Sequence, residues 1–286
     1  MDKKKKIVVT GGSGKAGRAC VAHLVEEGYD VFVIDRVPGP AGIASIVCDL
    51  TDYGQTIDAI SAANGGPLSV HAVVHLAAIP APRLQPNAAT FRNNILTDYN
   101  VFEACRRLGI KHVVYASSET VLGLPFDVPP PYVPVDEEYP PRPESAYSLG
   151  KVLSETMAEQ FCRWDPELKM IGLRFSNVME PGDYAKFPAF DKDATVRKWN
   201  LWGYIDARDA AQAIRLSVES TLVGADVFII ADADTVMTRP NQQLLDEVFP
   251  GVTQRESFGP NETLLSIKRA QRVLGFKPQF SWRTQV

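Results

Sequence analysis

Short apolar runs rich in β-branched residues recur along the chain at 7–10, 31–35, 45–48, 72–76, 112–117, 170–175 and 227–230. Each is apolar nearly throughout rather than at alternate positions, the mark of strands covered on both faces. Between them, 15–27, 53–63, 90–108, 146–163 and 208–219 repeat apolar residues at helical spacing. Strand and helix alternate, which predicts about seven parallel strands with right-handed helical crossovers: an α/β, Rossmann-type doubly wound sheet. Ligands of such sheets bind at the carboxyl ends of the strands.

Later the alternation lapses. Residues 181–200 read as irregular, and helices at 241–249 and 266–274 flank a further loop. The expected division is a dinucleotide-binding domain over 1–176, completed by about 204–231, and a small C-terminal substrate lobe from 177–203 and 232–286. A proline-rich stretch at 125–143 reads as a long ordered loop leading into the Tyr147 helix, since proline sustains neither ladder.

Composition narrows the partners. In 286 residues, 45% are hydrophobic, enough for a sizeable core, and a net charge of -4 gives no footprint for nucleic acid or an anionic membrane. A small soluble substrate is the expected partner. Four cysteines stand apart without a C-x-x-C pair, and His23, His71, His75 and His112 lack ligand spacing, so reduced thiols and no metal are expected. His75, after an apolar strand core, reads as a packed histidine. The lysine-rich start, without an apolar signal stretch, reads as the solvated tail of a cytoplasmic protein.

The first strand runs into Thr10-Gly11-Gly12-Ser13-Gly14-Lys15-Ala16-Gly17. Glycines at Gly11, Gly14 and Gly17 suit a tight turn, close backbone approach to a pyrophosphate and packing of helix on strand, with the helix N-terminus meeting the anion. The second strand ends at Asp35, where a carboxylate can accept both ribose hydroxyls of NAD and would repel the 2′-phosphate of NADP. Lys15 and Arg36 stand nearby and work against that preference. Asp49-Leu50 and Leu76-Ala77-Ala78, after the third and fourth strands, are placed for the adenine and nicotinamide ends.

Tyr147 and Lys151 are four apart, on one face of a helix. The neighbouring ammonium favours the phenolate, so the phenol can exchange a proton with a substrate hydroxyl, and Lys151 can also hold the nicotinamide ribose. The fifth strand ends in Ser117-Ser118, which puts a hydroxyl at the same sheet edge. Taken singly, each has a plainer reading: an exposed lysine on an amphipathic helix, a hydroxyl capping a turn.

Together with Asn94 and Asn100, Leu173-Arg174-Phe175-Ser176-Asn177, and Tyr204-Ile205-Asp206 with Asp209, these motifs resemble the extended short-chain dehydrogenase/reductase family, also called the NAD-dependent epimerase/dehydratase family, over nearly the whole chain. The resemblance implies catalytic roles for Ser118, Tyr147 and Lys151, a supporting one for Asn94, and hydride transfer between a substrate carbon and the nicotinamide of NAD. Ser117, Ser118, Glu119, Arg174 and Asn177 are the candidate substrate contacts. A homodimer, paired through 90–108 and 146–163, is implied as well.

Departures from the family pattern separate its chemistries. Ser118-Glu119-Thr120 replaces the Thr-Asp-Glu run of sugar-nucleotide dehydratases, which argues against water elimination. Segment 178–205 is short beside that of sugar-nucleotide epimerases and lacks an obvious basic clamp, and Leu122 replaces a tyrosine common there. The layout resembles compact members that oxidise free sugars or sugar acids, such as uronate dehydrogenases. An NAD-dependent dehydrogenase is therefore expected; the alternatives are a nucleotide-sugar 4-epimerase that retains NAD, and a non-catalytic dinucleotide-sensing regulator.

Overall fold

The computed structural model describes residues 4–65 and 69–284; residues 1–3 of the lysine-rich start lie outside the described residues. In chain order the elements are β1 (Lys6–Thr10), α1 (Lys15–Glu26), β2 (Asp30–Asp35), β3 (Ala44–Val47), α2 (Tyr53–Asn64), β4 (Val70–His75), α3 (Asn87–Arg107), β5 (His112–Ser118), β6 (Tyr132–Val133), α4 (Ala146–Trp164), β7 (Lys169–Phe175), β8 (Val178–Met179), β9 (Ile205–Asp206), α5 (Ala207–Glu219), β10 (Gly224–Ile230), α6 (Asn241–Val248), β11 (Thr253–Gln254) and α7 (Lys268–Leu274).

Seven strands form one sheet in the order β10-β7-β5-β4-β1-β2-β3, and every pairing in it is parallel. The apolar runs are explained by cover on both faces. One set of strand residues, among them Val9, Val74 and Ile171, shares a core with α1 and α5, while Val8, Val73 and Met170 share another with α2, α3 and α4. Between β1 and β4 the strand order reverses, and the crevice there, at the carboxyl ends, is where this architecture takes its ligands.

Local chemistry sets the helix starts. Asp52 accepts the amide of Gln55 ahead of α2, Ser145 and Ser148 form a reciprocal capping box ahead of α4, and Asp206 accepts the amide of Arg208 ahead of α5.

Two-residue strands escape the sequence pattern. β6, inside the proline-rich loop, pairs with β11 far along the chain, and β8 pairs with β9. The segment read as irregular at 181–200 is two 3-10 runs, Pro181–Lys192 and Ala194–Asn200. Leu264, Phe276 and Trp282 join the same apolar cluster as Phe228 and Ile230 of the sheet. The outer strand β10 is protected: Glu137 accepts the Ile229 amide at 2.8 Å and Arg269 donates to the Val227 carbonyl at 2.6 Å, so side chains occupy groups that another strand would otherwise meet.

Candidate active site

The loop after β1 is built to an exclusion limit. Gly11 has φ +72°, and a Cβ there would lie 2.6 Å from the Ala77 amide nitrogen; at Gly17 it would lie 2.1 Å from the Gly11 carbonyl oxygen. Any side chain would push apart the β1 turn, the loop after β4 and the start of α1. The amide of Gly14 donates to the Gly11 carbonyl at 3.1 Å. The backbone that precedes α1 is thus left bare, as a pyrophosphate needs.

Asp35 closes this loop, accepting the amides of Ser13 at 2.9 Å and Arg36 at 2.6 Å. The two nearby cations are both engaged. Arg36 pairs with Asp49 at 2.8 Å, and Lys15 pairs with Asp183 at 2.7 Å. The Arg36 guanidinium and the Thr51 amide and hydroxyl pull the Asp49 carboxyl down to about 2. Neither cation stands free beside Asp35, which fits the ribose hydroxyls of NAD rather than a 2′-phosphate. Leu50 is buried, and its carbonyl accepts Asn100 at 2.9 Å.

The loop carrying Leu76, Ala77 and Ala78 is fixed from two sides. Thr10 accepts the Leu76 amide on its carbonyl at 3.0 Å and the Ala77 amide on its hydroxyl at 3.4 Å. Asn94, on α3, accepts the Ile79 amide at 2.8 Å and donates to the Ile79 carbonyl at 3.0 Å. Oxygen and nitrogen of that carboxamide both bond the loop backbone, so Asn94 fixes the loop.

Ser118 ends β5, and Tyr147 opens α4, which packs along β5 and the 3-10 turn Glu119–Leu122. Ser118 accepts the Thr120 amide at 3.2 Å and the Thr120 hydroxyl at 3.0 Å. Its own proton stays available. Tyr147 is 7% exposed, and no described protein group bonds its hydroxyl. Lys151 is 2% exposed; its ammonium lies 6.0 Å from the Tyr147 ring centroid and donates to the Ala116 carbonyl at 2.7 Å. A phenol, an ammonium and a hydroxyl donor thus meet at one end of the sheet, with no other demand on the phenolic oxygen.

Three of the expected substrate contacts are turned inward instead. Arg174 donates to both carboxylate oxygens of Glu155, at 2.9 and 2.8 Å, and Ser117 donates to the same carboxylate at 2.5 Å, all beneath the surface. Glu119 is buried as well, accepting Ser176 at 2.5 Å and Asn200 at 3.2 Å, and burial pushes its carboxyl up to about 7. These residues frame the site because a buried charge or hydroxyl must find an internal partner. Asn177 accepts from Arg197 at 3.0 Å, joining the end of β7 to the 3-10 run before β9.

The partners Glu155, Asn200, Arg197 and Asp98 carry no motif of their own, and His75 reads only as a packed histidine. Only a polar face where the pattern calls for apolar contact, as at Asn94 and Asp98 one turn apart, hints at them.

Comparison with known proteins places the chain in a family. A UDP-glucose 4-epimerase 2 of Arabidopsis thaliana is 29% identical over 195 residues, covering 60% of this chain and 52% of its own length. The chain therefore spans about half the length of the first curated relatives it matches, 52% in each of the first two. An NAD-dependent glucose-6-phosphate dehydrogenase of Haloferax volcanii is 25% identical over 292 residues, covering 96% of this chain and 92% of its own; a UDP-glucose 4-epimerase of Corynebacterium glutamicum, also 25% identical, covers 96% of this chain and 91% of its own. Among solved structures, a short-chain dehydrogenase/reductase superfamily protein from Agrobacterium tumefaciens with bound NAD superposes with a TM-score of 0.73 at 22% identity, over 98% of this chain and 94% of that one. The sequence profile of the NAD dependent epimerase/dehydratase family matches residues 7–231. With its glycine loop, its Asp35 and its parallel sheet, the chain belongs to this NAD-dependent family.

Proposed function

We propose that the protein is an NAD-dependent dehydrogenase of a small polyhydroxylated substrate, a sugar or sugar acid, with Tyr147 as general acid/base. One observation carries the choice: in the stretch Pro181–Lys192 and Ala194–Asn200 the chain folds inward, and three of its four cations have partners. Tyr184, Phe187 and Ala194 are buried with Tyr204 and Trp282. Lys186 pairs with Asp183, Lys198 with Asp127, and Arg197 donates to Asn177 and the Gly203 carbonyl. A nucleotide diphosphate needs free donors there, and only Lys192 of this stretch lacks such a partner among the described residues. A neutral sugar or a single carboxylate makes no such demand.

In this reading the backbone of the Gly11–Gly17 loop holds the cofactor's pyrophosphate, Asp35 its adenosine ribose, and Lys151 its nicotinamide ribose. NAD, when bound, supplies the hydride acceptor. Ser118 donates its free proton to the reacting oxygen, and Tyr147 takes the hydroxyl proton while Lys151 steadies the phenolate. The segments 177–203 and 232–284 form the substrate lobe over the strand ends. Two such chains pair through α3 and α4, where Leu96, Tyr99 and Leu149 are solvent-exposed apolar side chains.

The second reading, a 4-epimerase that keeps its NAD, is favoured by the relatives, several of which are UDP-glucose 4-epimerases. Absorbance at 340 nm separates the two. Free sugars, uronic acids and hydroxy acids are compared with sugar nucleotides, each with NAD and NADP. Sustained NADH growth with a free sugar or sugar acid is expected; isomer formation from a sugar nucleotide without net NADH would replace this reading by the other.

A further inference from the structure

A continuous polar chain runs beneath the strand ends. The Thr10 hydroxyl, at the end of β1, bonds Nδ1 of His75 at 2.6 Å, and Nε2 of His75 bonds Asp98 of α3 at 2.8 Å. The other Asp98 oxygen accepts the hydroxyl of Ser154, which lies on α4 nearly one turn beyond Lys151. Thr10, His75, Asp98 and Ser154 are between 0 and 2% exposed. A carboxylate so deep needs a compensating positive charge close by, which leaves open which group supplies it.

Lys151 gives the answer. Its ammonium is as buried as the chain beneath it, and its one described hydrogen bond is to a neutral carbonyl. Glu155, the next carboxylate along α4, is held by Arg174 and Ser117. Burial disfavours charge on Asp98, but the Lys151 ammonium and the bonds from His75 and Ser154 more than offset it and hold its carboxyl below the usual range. Lys151 and Ser154 are three apart on one face of α4, so the bond from Ser154 brings Asp98 to the side of the helix that carries the ammonium, while His75 bonds it from β4 and the Tyr115 phenol of β5 lies in its field.

We infer that Asp98 is a positioning residue: it is the buried counter-charge of Lys151, clasped between the β1 and β4 ends that border the cofactor crevice and the helix that carries the proton-transfer pair. The inference rests on the reading that Lys151 meets the nicotinamide ribose. It has a consequence that a merely structural carboxylate lacks. The oxidised nicotinamide ring is cationic and the reduced ring is neutral, so a negative charge behind the ammonium favours NAD⁺ over NADH.

The test is titration of both dinucleotides by calorimetry or protein fluorescence. Asp98→Asn keeps the shape and removes the charge, and the ratio of Kd for NAD⁺ to Kd for NADH is expected to rise by roughly fivefold or more. Ser154→Ala, which loosens the same cluster but leaves the charge, is expected to hold the wild-type ratio. An unchanged ratio in Asp98→Asn, or an equal change in Ser154→Ala, overturns the assignment alone. Wild-type protein that binds neither dinucleotide overturns the reading of the site and the assignment with it. Should Asp98→Asn not fold, adding Lys151→Gln removes both charges and is expected to restore folding; no recovery also overturns the assignment.

Discussion

At the scale of single residues, chemistry that depends on residue type and spacing was legible, and chemistry that depends on partners was not. The glycines, Asp35, and the Tyr147–Lys151 pair could be picked out because each requirement is local: a bare backbone, a carboxylate at a strand end, two groups one helical turn apart. Ser117, Glu119 and Arg174 sit at the same strand ends in sequence, yet their polar atoms point to Glu155, Ser176 and Asn200, and strand position carries no information about that. Two predictions belong here. Tyr147→Phe, which deletes the unpartnered hydroxyl, is expected to lower kcat by about 10²- to 10⁴-fold with NAD binding retained, measured by steady-state rates and dinucleotide titration. Glu155→Gln leaves the Arg174 guanidinium, whose side chain is 4% exposed, without its counter-charge, and a loss of about 3–5 kcal/mol is expected in urea unfolding.

At the scale of elements, the long strands and helices follow from apolar runs and helical spacing, because the residues that form them also fill the two cores. The short pairings β6 with β11 and β8 with β9 could not be read, since two residues give no periodicity and their partners are supplied by the fold. The same holds for the 3-10 run Pro181–Lys192, where Phe187 is buried by aromatic contacts with Tyr204 and Trp282 rather than by a repeat of the run's own. For α3 and α4 the pattern shows an inward face, while Tyr99 at 45% and Leu149 at 43% exposure mark an outward apolar one. If two chains pair there, light scattering on a sizing column gives twice the chain mass, and Tyr99→Glu with Leu149→Glu shifts it to one chain. A wild-type chain of monomer mass at micromolar concentration removes the dimer.

For the whole molecule, the buried acids fix how stability changes with pH. Burial raises the carboxyl of Glu119 to about 7, and burial with the neighbouring Asp234 raises that of Asp232 to about 8. A folded-state value above the unfolded one means that the native state holds protons the unfolded chain has released. Their contribution is full below the unfolded value and fades as pH rises through the folded one. Burial lowers His112 to about 4 and also lowers His23 and His71, and these act in the opposite sense below their unfolded value of about 6.5, so the fall is steepest above it; Lys169, lowered to about 8, opposes only above that pH. Tm is therefore expected to fall between pH 5 and pH 8, by roughly 3–6 °C, and Glu119→Gln with Asp232→Asn is expected to flatten the slope in differential scanning fluorimetry. A slope of equal size in the double variant would assign it to other groups.

A dehydrogenase releases reduced cofactor at every turnover, whereas an epimerase ends with the hydride back on its substrate. The decisive measurement is the amount of NADH formed per active site with the best substrate from the screen, followed at 340 nm in excess NAD. For a dehydrogenase, many equivalents per site, growing linearly with time, are expected; a plateau at or below one equivalent, accompanied by an isomerised sugar nucleotide, would contradict that activity.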